Sequence, residues 1–308
     1  MVDLSVQLAP CHPSGLLLTN PVMTAAGTFG YGIEYSQLVD VQRLGAIVCK
    51  TTTLKPRRGN PQPRLVETAS GLLNSVGLQN IGVEAVVKDK APVWAGWRVP
   101  VIVSIAGETS DEYARVADRL EGVAGVSGIE VNISCPNVAS GGMEFGADPK
   151  AAAEVTAAVK AASSLPIIVK LSPNVTRIEE IASAVAEAGA DAVTLINTLR
   201  GMAIDVDTGE PSLGNVIGGL SGPAIKPVAL YMAHKVAGTV DVPIIGCGGI
   251  GCADDALEFI MAGAAAVQVG TANLTNPEAA LDVLDGIQRF LGARGIEGLR
   301  DISGIARV

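Results

Sequence analysis

The sequence predicts an α/β fold, a single (β/α)8 TIM barrel over residues 1–308. Eight short apolar runs recur along the chain, each followed by a polar or glycine-rich turn and a helical segment. Hydrophobic residues make up 48% of the chain but aromatic residues only 3%, so we expect Val, Ile, Leu and Ala to fill the layers inside a parallel barrel. Eight such units favour a closed barrel over an open doubly wound sheet.

The eight apolar runs predict strands buried on both faces. They are Pro21–Ala25, Ala46–Lys50, Val101–Ile105, Gly128–Ile133, Ile167–Leu171, Ala192–Ile196, Pro243–Cys247 and Ala265–Gly270. Four of the intervening segments predict helices by period or composition. These are Asp148–Ala162, Thr176–Ala188, Pro223–Ala237 and Ala253–Ala262. Gly189 and Gly263 stand where helix C-caps are needed.

Two connections are too long for simple turns, residues 51–78 and residues 199–220. Both follow predicted strands, so we expect insertions at the face where barrel active sites form. The basic, proline-rich stretch Lys55–Arg64 in the first is either a solvated loop or a contact surface. The segment before Pro21 predicts a hairpin that closes the bottom of the barrel.

Charge and cysteine content exclude several classes of protein. The net charge is -9 without a basic run, which disfavours a nucleic-acid partner. Polar residues and prolines interrupt both long uncharged stretches, and the N-terminus lacks a signal-peptide pattern, so we expect no membrane segment. Five cysteines without a C-x-x-C pair predict reduced thiols in a cytoplasmic protein and no metal site in this chain.

The predicted strand ends are rich in amides, lysines and glycines and poor in carboxylates, which argues against a magnesium or glycosidase site. His12 and His234 lie away from strand ends, so acid–base catalysis falls to another group. Cys135, in an irregular polar loop after the fourth strand, is the predicted base, because a thiol pKa of about 8.5 can be lowered by its site. Cys49 and Cys247 lie in apolar strands and are expected to be structural.

Three further groups indicate the ligands. Asn74, Asn132, Asn137 and Asn197 suit a substrate with an amide or imide edge. Lys50 and Lys170 end two strands and are expected to point into the barrel mouth. There they would meet a carboxylate, a phosphate or the anionic edge of a reduced flavin. Glycines after the seventh and eighth strands predict a phosphate site that fits FMN or a sugar phosphate. These are Gly248, Gly249 and Gly270 with Thr271, and Gly222 could add an N–H.

Six motifs in collinear order cover essentially the whole chain. They are Lys50–Thr52, Asn74–Gly77, Asn132–Asn137, Lys170–Pro173, Asn197–Thr198 and Gly248–Ile250. Together they resemble the soluble, class 1 dihydroorotate dehydrogenases. The resemblance implies an FMN-binding barrel that oxidises dihydroorotate to orotate in pyrimidine biosynthesis, with Cys135 removing the C5 proton while the C6 hydride goes to the flavin. A cysteine at this position and the absence of an N-terminal membrane extension favour class 1.

The same resemblance implies the ligand-binding residues. For the substrate they are Lys50, Asn74, Ser75, Val76, Gly77, Leu78, Asn132, Asn137, Asn197 and Thr198. For FMN they are Ala26, Gly27, Lys50, Thr51, Ser104, Asn132, Lys170, Ile196, Gly222, Gly248, Gly249, Gly270 and Thr271. Ala26 departs from the serine that relatives often carry, and we expect a backbone contact there.

Residues 198–205 and 213–219 resemble the NAD-linked class 1B catalytic subunit. That type implies a homodimer that recruits a second subunit carrying FAD and a [2Fe–2S] cluster, giving a heterotetramer. Three alternatives stay open from the sequence: a class 1A homodimer that uses fumarate, an enzyme of the dihydropyrimidine dehydrogenase type, and a non-redox phosphate-binding barrel.

Overall fold

The computed structural model describes residues 2–134, 136–137 and 143–307, with Pro136, Asn137 and Met143 described by their backbone alone. Within these residues eight parallel strands form one sheet in the order β1-β8-β7-β6-β5-β4-β3-β2. Their bounds are β1 Val22–Thr24, β2 Ile47–Val48, β3 Val101–Ile105, β4 Gly128–Asn132, β5 Ile167–Lys170, β6 Ala192–Leu195, β7 Ile244–Cys247 and β8 Ala266–Val269.

Contacts between β1 and β2 close the sheet into a barrel. Met23 and Ala46 form a parallel bridge, and the Thr24 N–H donates to the Ala46 carbonyl at 3.3 Å. The Thr24 hydroxyl also accepts from the Val48 N–H at 3.0 Å and donates to the Val48 carbonyl at 3.3 Å. The (β/α)8 prediction is therefore confirmed, and each predicted apolar run contains its strand.

Helices fill the connections between strands. The α-helices are Val83–Ala85, Ala91–Trp94, Ser110–Leu120, Pro149–Ala162, Ile178–Glu187, Lys226–Ala237, Ala253–Met261, Ala272–Thr275 and Ala279–Ala293, with a π-helical turn at Val86–Lys90. The 3-10 helices are Tyr35–Gln37, Val41–Arg43, Phe145–Ala147, Pro223–Ile225 and Leu299–Asp301. Those at Tyr35–Gln37 and Val41–Arg43 stand where the other connections carry an α-helix. Gly189 and Gly263 adopt φ of 102° and 112°, which confirms both as left-handed C-caps.

The packing of the helices follows from their sequence pattern. In Ser110–Leu120 the buried residues are Tyr113, Val116, Ala117 and Leu120, spaced so that they line one face. The Thr109 hydroxyl accepts from the Glu112 N–H at 3.2 Å and so caps the start of this helix. Burying each large apolar side chain contributes roughly 1.5–3 kcal/mol.

The two long insertions meet in one four-stranded antiparallel sheet, which the sequence did not predict. Its strands, in order, are Leu199–Gly201, Gly218–Ser221, Gly71–Asn74 and Leu65–Thr68. This sheet joins the connection after β2 to the connection after β6. Residues far apart in the chain are thereby held at the carboxyl ends of the barrel strands.

The N-terminal segment forms the predicted hairpin, in which Val6–Gln7 pairs with Leu17–Leu18. A β-carbon at Gly128, the first residue of β4, would lie 3.6 Å from Leu16. The hairpin therefore packs against the amino-terminal ends of the strands, at the bottom of the barrel. Among the described residues, no helix combines the length and the apolar character needed to cross a membrane.

Candidate active site

Most of the predicted site residues come together at the carboxyl ends of the strands. Cys135, the predicted base, lies outside the described residues, and of Asn137 only the backbone is described. That backbone pairs with Met143 in a short antiparallel hairpin after β4. The roles predicted for these two side chains stay predictions.

Two of the predicted amides contact each other directly. The Asn197 side-chain nitrogen donates to Oδ1 of Asn132 at 3.1 Å and to the Ser134 hydroxyl at 3.0 Å. Oδ1 of Asn132 also accepts from the Ser134 N–H, and Oδ1 of Asn197 accepts from the Thr198 N–H. Nδ2 of Asn132 has no protein partner among the described residues, so this donor can serve a ligand.

The insertion sheet brings Asn74 to Thr198. The Asn74 side-chain nitrogen donates to the Gly219 carbonyl at 3.1 Å. A β-carbon at Gly219 would lie 2.0 Å from Oγ1 of Thr198, so only glycine permits this approach. Asn74 and Thr198, 124 positions apart in the printed sequence, thus border the same space.

The loop from Ser75 to Leu78 is held by Asn60, which the sequence analysis did not single out. Asn60 Nδ2 donates to the Ser75 hydroxyl at 2.9 Å, and the Asn60 N–H donates to the Val76 carbonyl at 3.1 Å. A β-carbon at Gly77 would lie 2.5 Å from Asn60. Leu78 adopts φ of 54°, a left-handed conformation that costs a non-glycine residue about 1–3 kcal/mol and is typical of functional loops.

Lys50 lies two residues after β2 and is a half-buried cation. Its N–H donates to the Gly30 carbonyl at 2.7 Å, whereas its ammonium has no hydrogen bond or ion pair within the described part of the chain. Burial lowers the pKa of Lys50, because the charged form loses water. An anionic ligand at this position would compensate the positive charge of the Lys50 ammonium.

Lys170 lies in a buried polar layer rather than at the open mouth. Its ammonium donates to Oε1 of Gln268 at 2.9 Å and to Sγ of Cys247 at 3.5 Å. Gln268 in turn donates to Glu130 at 2.6 Å, and the Thr194 hydroxyl donates to the same carboxylate oxygen at 3.1 Å. The expectation of a wholly aliphatic barrel interior was wrong, because these side chains point inward from five different strands.

Glu130 and Gln268 were missed because they stand inside apolar strands. The signal for Glu130 was its position two residues before Asn132, which puts both side chains on the same face of β4. A carboxylate on the inward face of a buried strand requires partners, and this requirement could have pointed to the layer.

Glycines shape a cradle between the loops after β6, β7 and β8. Gly222, Gly248 and Gly249 adopt φ of 90°, 130° and 74°. A β-carbon at Gly249 would lie 2.6 Å from Lys226, the first residue of the helix Lys226–Ala237. The Thr271 hydroxyl donates to that of Ser221 at 2.8 Å, which joins the third loop to the first. Exposed backbone N–H groups in such a cradle suit a phosphate.

The remaining predicted FMN residues lie around the mouth. The hydroxyls of Thr51 and Ser104 are 2.9 Å apart and buried. The Ile196 N–H donates to the Cys247 carbonyl at 2.7 Å, which fixes this residue at the end of β6. A β-carbon at Gly27 would meet no atom within 4 Å, and a β-carbon at Gly270 would lie 3.2 Å from Ala25. Ala26, between Ala25 and Gly27, is partly exposed.

Comparison with known proteins decides the family. The family model described as dihydroorotate dehydrogenase matches residues 11–291. The chain belongs to the dihydroorotate dehydrogenase family. The glycine cradle, the amide pair and Lys50 stand at the carboxyl ends of the barrel strands, whereas Lys170 lies in the buried polar layer.

Relatives in this dihydroorotate dehydrogenase family are similar over nearly their whole length. A protein from Pelobacter propionicus is 54% identical over 302 residues, which cover 98% of both chains. One from Desulforudis audaxviator is 57% identical over 95% of both chains, and one from Geobacter sulfurreducens is 53% identical over 99% of both. Each is named "Dihydroorotate dehydrogenase B (NAD(+)), catalytic subunit", which confirms the predicted resemblance to class 1B.

Proposed function

We propose that this chain is the catalytic subunit of an NAD-linked dihydroorotate dehydrogenase that oxidises dihydroorotate to orotate in de novo pyrimidine biosynthesis. The observation that carries the proposal is the Asn132–Asn197 pair beside Asn74, Thr198 and the cation of Lys50, which has no ion pair with any described residue. Amide donors and acceptors match the imide edge of the substrate, and the ammonium matches its carboxylate.

FMN is the cofactor that the described residues fit. The glycine cradle with Thr271 would hold its phosphate, because the absence of side chains at Gly248 and Gly249 lets this loop pack directly against residues 225–229 at the start of the next helix. Lys170, Lys50, Ser104 and Thr51 would contact the ring system, and Ala26, Gly27 and Ile196 would border it. When bound, FMN supplies the acceptor for the hydride that leaves the substrate.

The chain's own residues supply orientation and proton transfer. Cys135 takes the proton from C5 of dihydroorotate, as the resemblance implies, and the pyrimidine edge is held by the amides of Asn132 and Asn197. Lys50 offsets the carboxylate charge of the substrate, which fixes the ring relative to the thiol. Correct placement of these groups lowers the activation free energy of the reaction by several kcal/mol.

Electrons leave through a partner subunit carrying FAD and a [2Fe–2S] cluster, and two copies of each chain form a heterotetramer. The words "catalytic subunit" in the relatives' names support a partner. An apolar patch on the insertion after β6 supports a homodimer contact, because Met202, Ile204, Val206, Val216 and Ile217 are 47–91% exposed. Free thiols at Cys11 and Cys252 are consistent with a cytoplasmic location.

The decisive experiment is the absorbance spectrum of the purified chain before and after dihydroorotate is added without oxygen. We expect a flavin spectrum that is bleached by dihydroorotate and restored by NAD+ only when the partner subunit is present. Reoxidation by fumarate in the chain alone would favour class 1A instead. Bleaching by dihydrouracil but not dihydroorotate would replace the substrate, and a colourless chain that takes up no FMN would overturn the proposal.

The role of Cys135 is tested by Cys135→Ser, with Cys11→Ser as the matched control in the N-terminal hairpin. We expect Cys135→Ser to retain FMN but to slow flavin reduction by about 10²- to 10⁴-fold at neutral pH, since a hydroxyl is a far weaker base than a thiolate. Equal reduction rates in the two variants, measured by stopped flow, would contradict the assignment.

A further inference from the structure

A fully buried carboxylate in the barrel has no use in the reaction proposed above. Glu130 has 0% exposure, and one of its oxygens accepts from Gln268 Nε2 at 2.6 Å and from the Thr194 hydroxyl at 3.1 Å. Its other oxygen has no hydrogen-bond partner among the described residues. An ionised carboxylate in such a place is strongly disfavoured unless a positive charge compensates it.

Gln268 links this carboxylate to a buried cation. One end of its amide donates to Glu130, and the other end accepts from Lys170 Nζ at 2.9 Å. Because the two ends of an amide differ, an acceptor at Glu130 orients the amide so that its oxygen faces the ammonium. Glu130 therefore orients the Lys170 ammonium through Gln268, although Glu130 and Lys170 share no hydrogen bond.

Glu130 is also the carboxylate that faces this cation within the described part of the chain. The other titratable groups facing this layer within the described chain are the thiols of Cys247 and Cys49, and burial raises the pKa of both, that of Cys49 to about 12. Burial therefore opposes a negative charge on either thiol. Burial acts to lower the pKa of Lys170, but the Cys247 contact and the Glu130 charge outweigh it, so the ammonium form persists.

We propose that Glu130 is a positioning residue that, through Gln268, keeps Lys170 protonated and aimed at the flavin. The flavin as the ligand of Lys170 rests on the proposed function, whereas the coupling of Glu130 to Lys170 does not. The Glu130–Lys170 pair is neutral overall, so the layer can stay buried. The positive end of the pair would meet the negative charge that the ring system gains on reduction.

The test follows the titration of Lys170 itself by NMR in the full chain labelled with 13C-lysine, first without and then with added FMN. The Lys170 signal is assigned by its loss in Lys170→Met. In Glu130→Gln, which keeps size and hydrogen bonding, we expect the proton affinity of Lys170 to fall about tenfold or more, because an opposite charge is lost from a buried site. The double variant Glu130→Gln/Gln268→Glu moves the carboxylate onto Lys170 and should restore the titration.

Thr194→Val is the matched control, since it removes a hydrogen bond to Glu130 but no charge, and it should shift the titration far less. A Lys170 titration in Glu130→Gln equal to that of the unaltered protein, or a folded double variant that does not restore it, would overturn the proposal. If Glu130→Gln does not fold, Gln268→Met cuts the same relay and should also weaken proton binding at Lys170. These titrations need no turnover, so loss of dihydroorotate oxidation would leave their outcome unaffected.

Discussion

Gly222 offers a sharp test of the glycine cradle, through the substitution Gly222→Ala. Its backbone has φ of 90° and ψ of −168°, a region that is essentially restricted to glycine. A β-carbon would also lie 2.9 Å from Cα of Gly71, in the insertion sheet. Gly209 provides the matched control, because it has φ of 72° but a β-carbon there would meet nothing within 4 Å.

The structure sets the size of the effect. Backbone strain at Gly222 costs about 1–3 kcal/mol, and forcing the two backbones apart adds about 1–3 kcal/mol. We therefore expect Gly222→Ala to lower the free energy of unfolding by roughly 2–6 kcal/mol. Gly209→Ala carries the backbone term alone and should cost about 1–2 kcal/mol.

The same substitution should weaken FMN binding. If the displaced loop loses one N–H bond to the phosphate, about 1.5–3 kcal/mol is lost, which corresponds to roughly a 10- to 100-fold higher Kd. Urea unfolding of the flavin-free chains gives the stability difference, and flavin fluorescence quenching gives the Kd. Equal unfolding free energies and equal Kd values for the two variants would refute the close contact between Gly222 and Gly71.

Three further substitutions test other parts of the structure. Asn197→Asp places a carboxylate against Oδ1 of Asn132, so the affinity for orotate should fall roughly tenfold or more. The affinity is measured from the flavin spectrum, and an unchanged value would show that Asn197 does not contact the ligand. Trp94→Phe removes the indole N–H that donates to the Tyr31 carbonyl at 3.0 Å, and it should lower the free energy of unfolding in urea by about 1–3 kcal/mol. A smaller loss would mean that water replaces the indole as the donor. Partial burial acts to raise the pKa of Asp255, but hydrogen bonds from Lys226 and the Gly251 N–H lower it overall. The ionised Asp255 carboxylate therefore stabilises the fold at pH values above its unfolded-state pKa of about 3.9, and this stabilisation is lost as the pH falls through its lower folded-state pKa. The difference in free energy of unfolding between the unaltered protein and Asp255→Asn should accordingly disappear below about pH 4.

The fold class was readable from the sequence because its signals are local. A strand buried on both faces needs a continuous apolar run, which identified Val101–Ile105 and Ile167–Lys170 from the sequence. A helix often ends at a glycine, which identified Gly189 and Gly263 as C-caps. Because parallel strands end at one face of a barrel, the residues after each run were bound to converge. The order of the strands therefore predicted that these residues lie at one face, whereas their roles toward substrate and FMN were implied by the family resemblance.

The contacts between distant segments were decided only by the tertiary structure. Nothing near Gly71 in the chain indicates that it packs against the Ser221 carbonyl, nor does anything near Asn60 indicate that it fixes the loop at Gly77. The polar layer of Glu130, Gln268 and Lys170 stayed hidden for the same reason. Each residue stands alone in an apolar strand, and its partner becomes visible only when the barrel closes and inward-facing side chains meet across it.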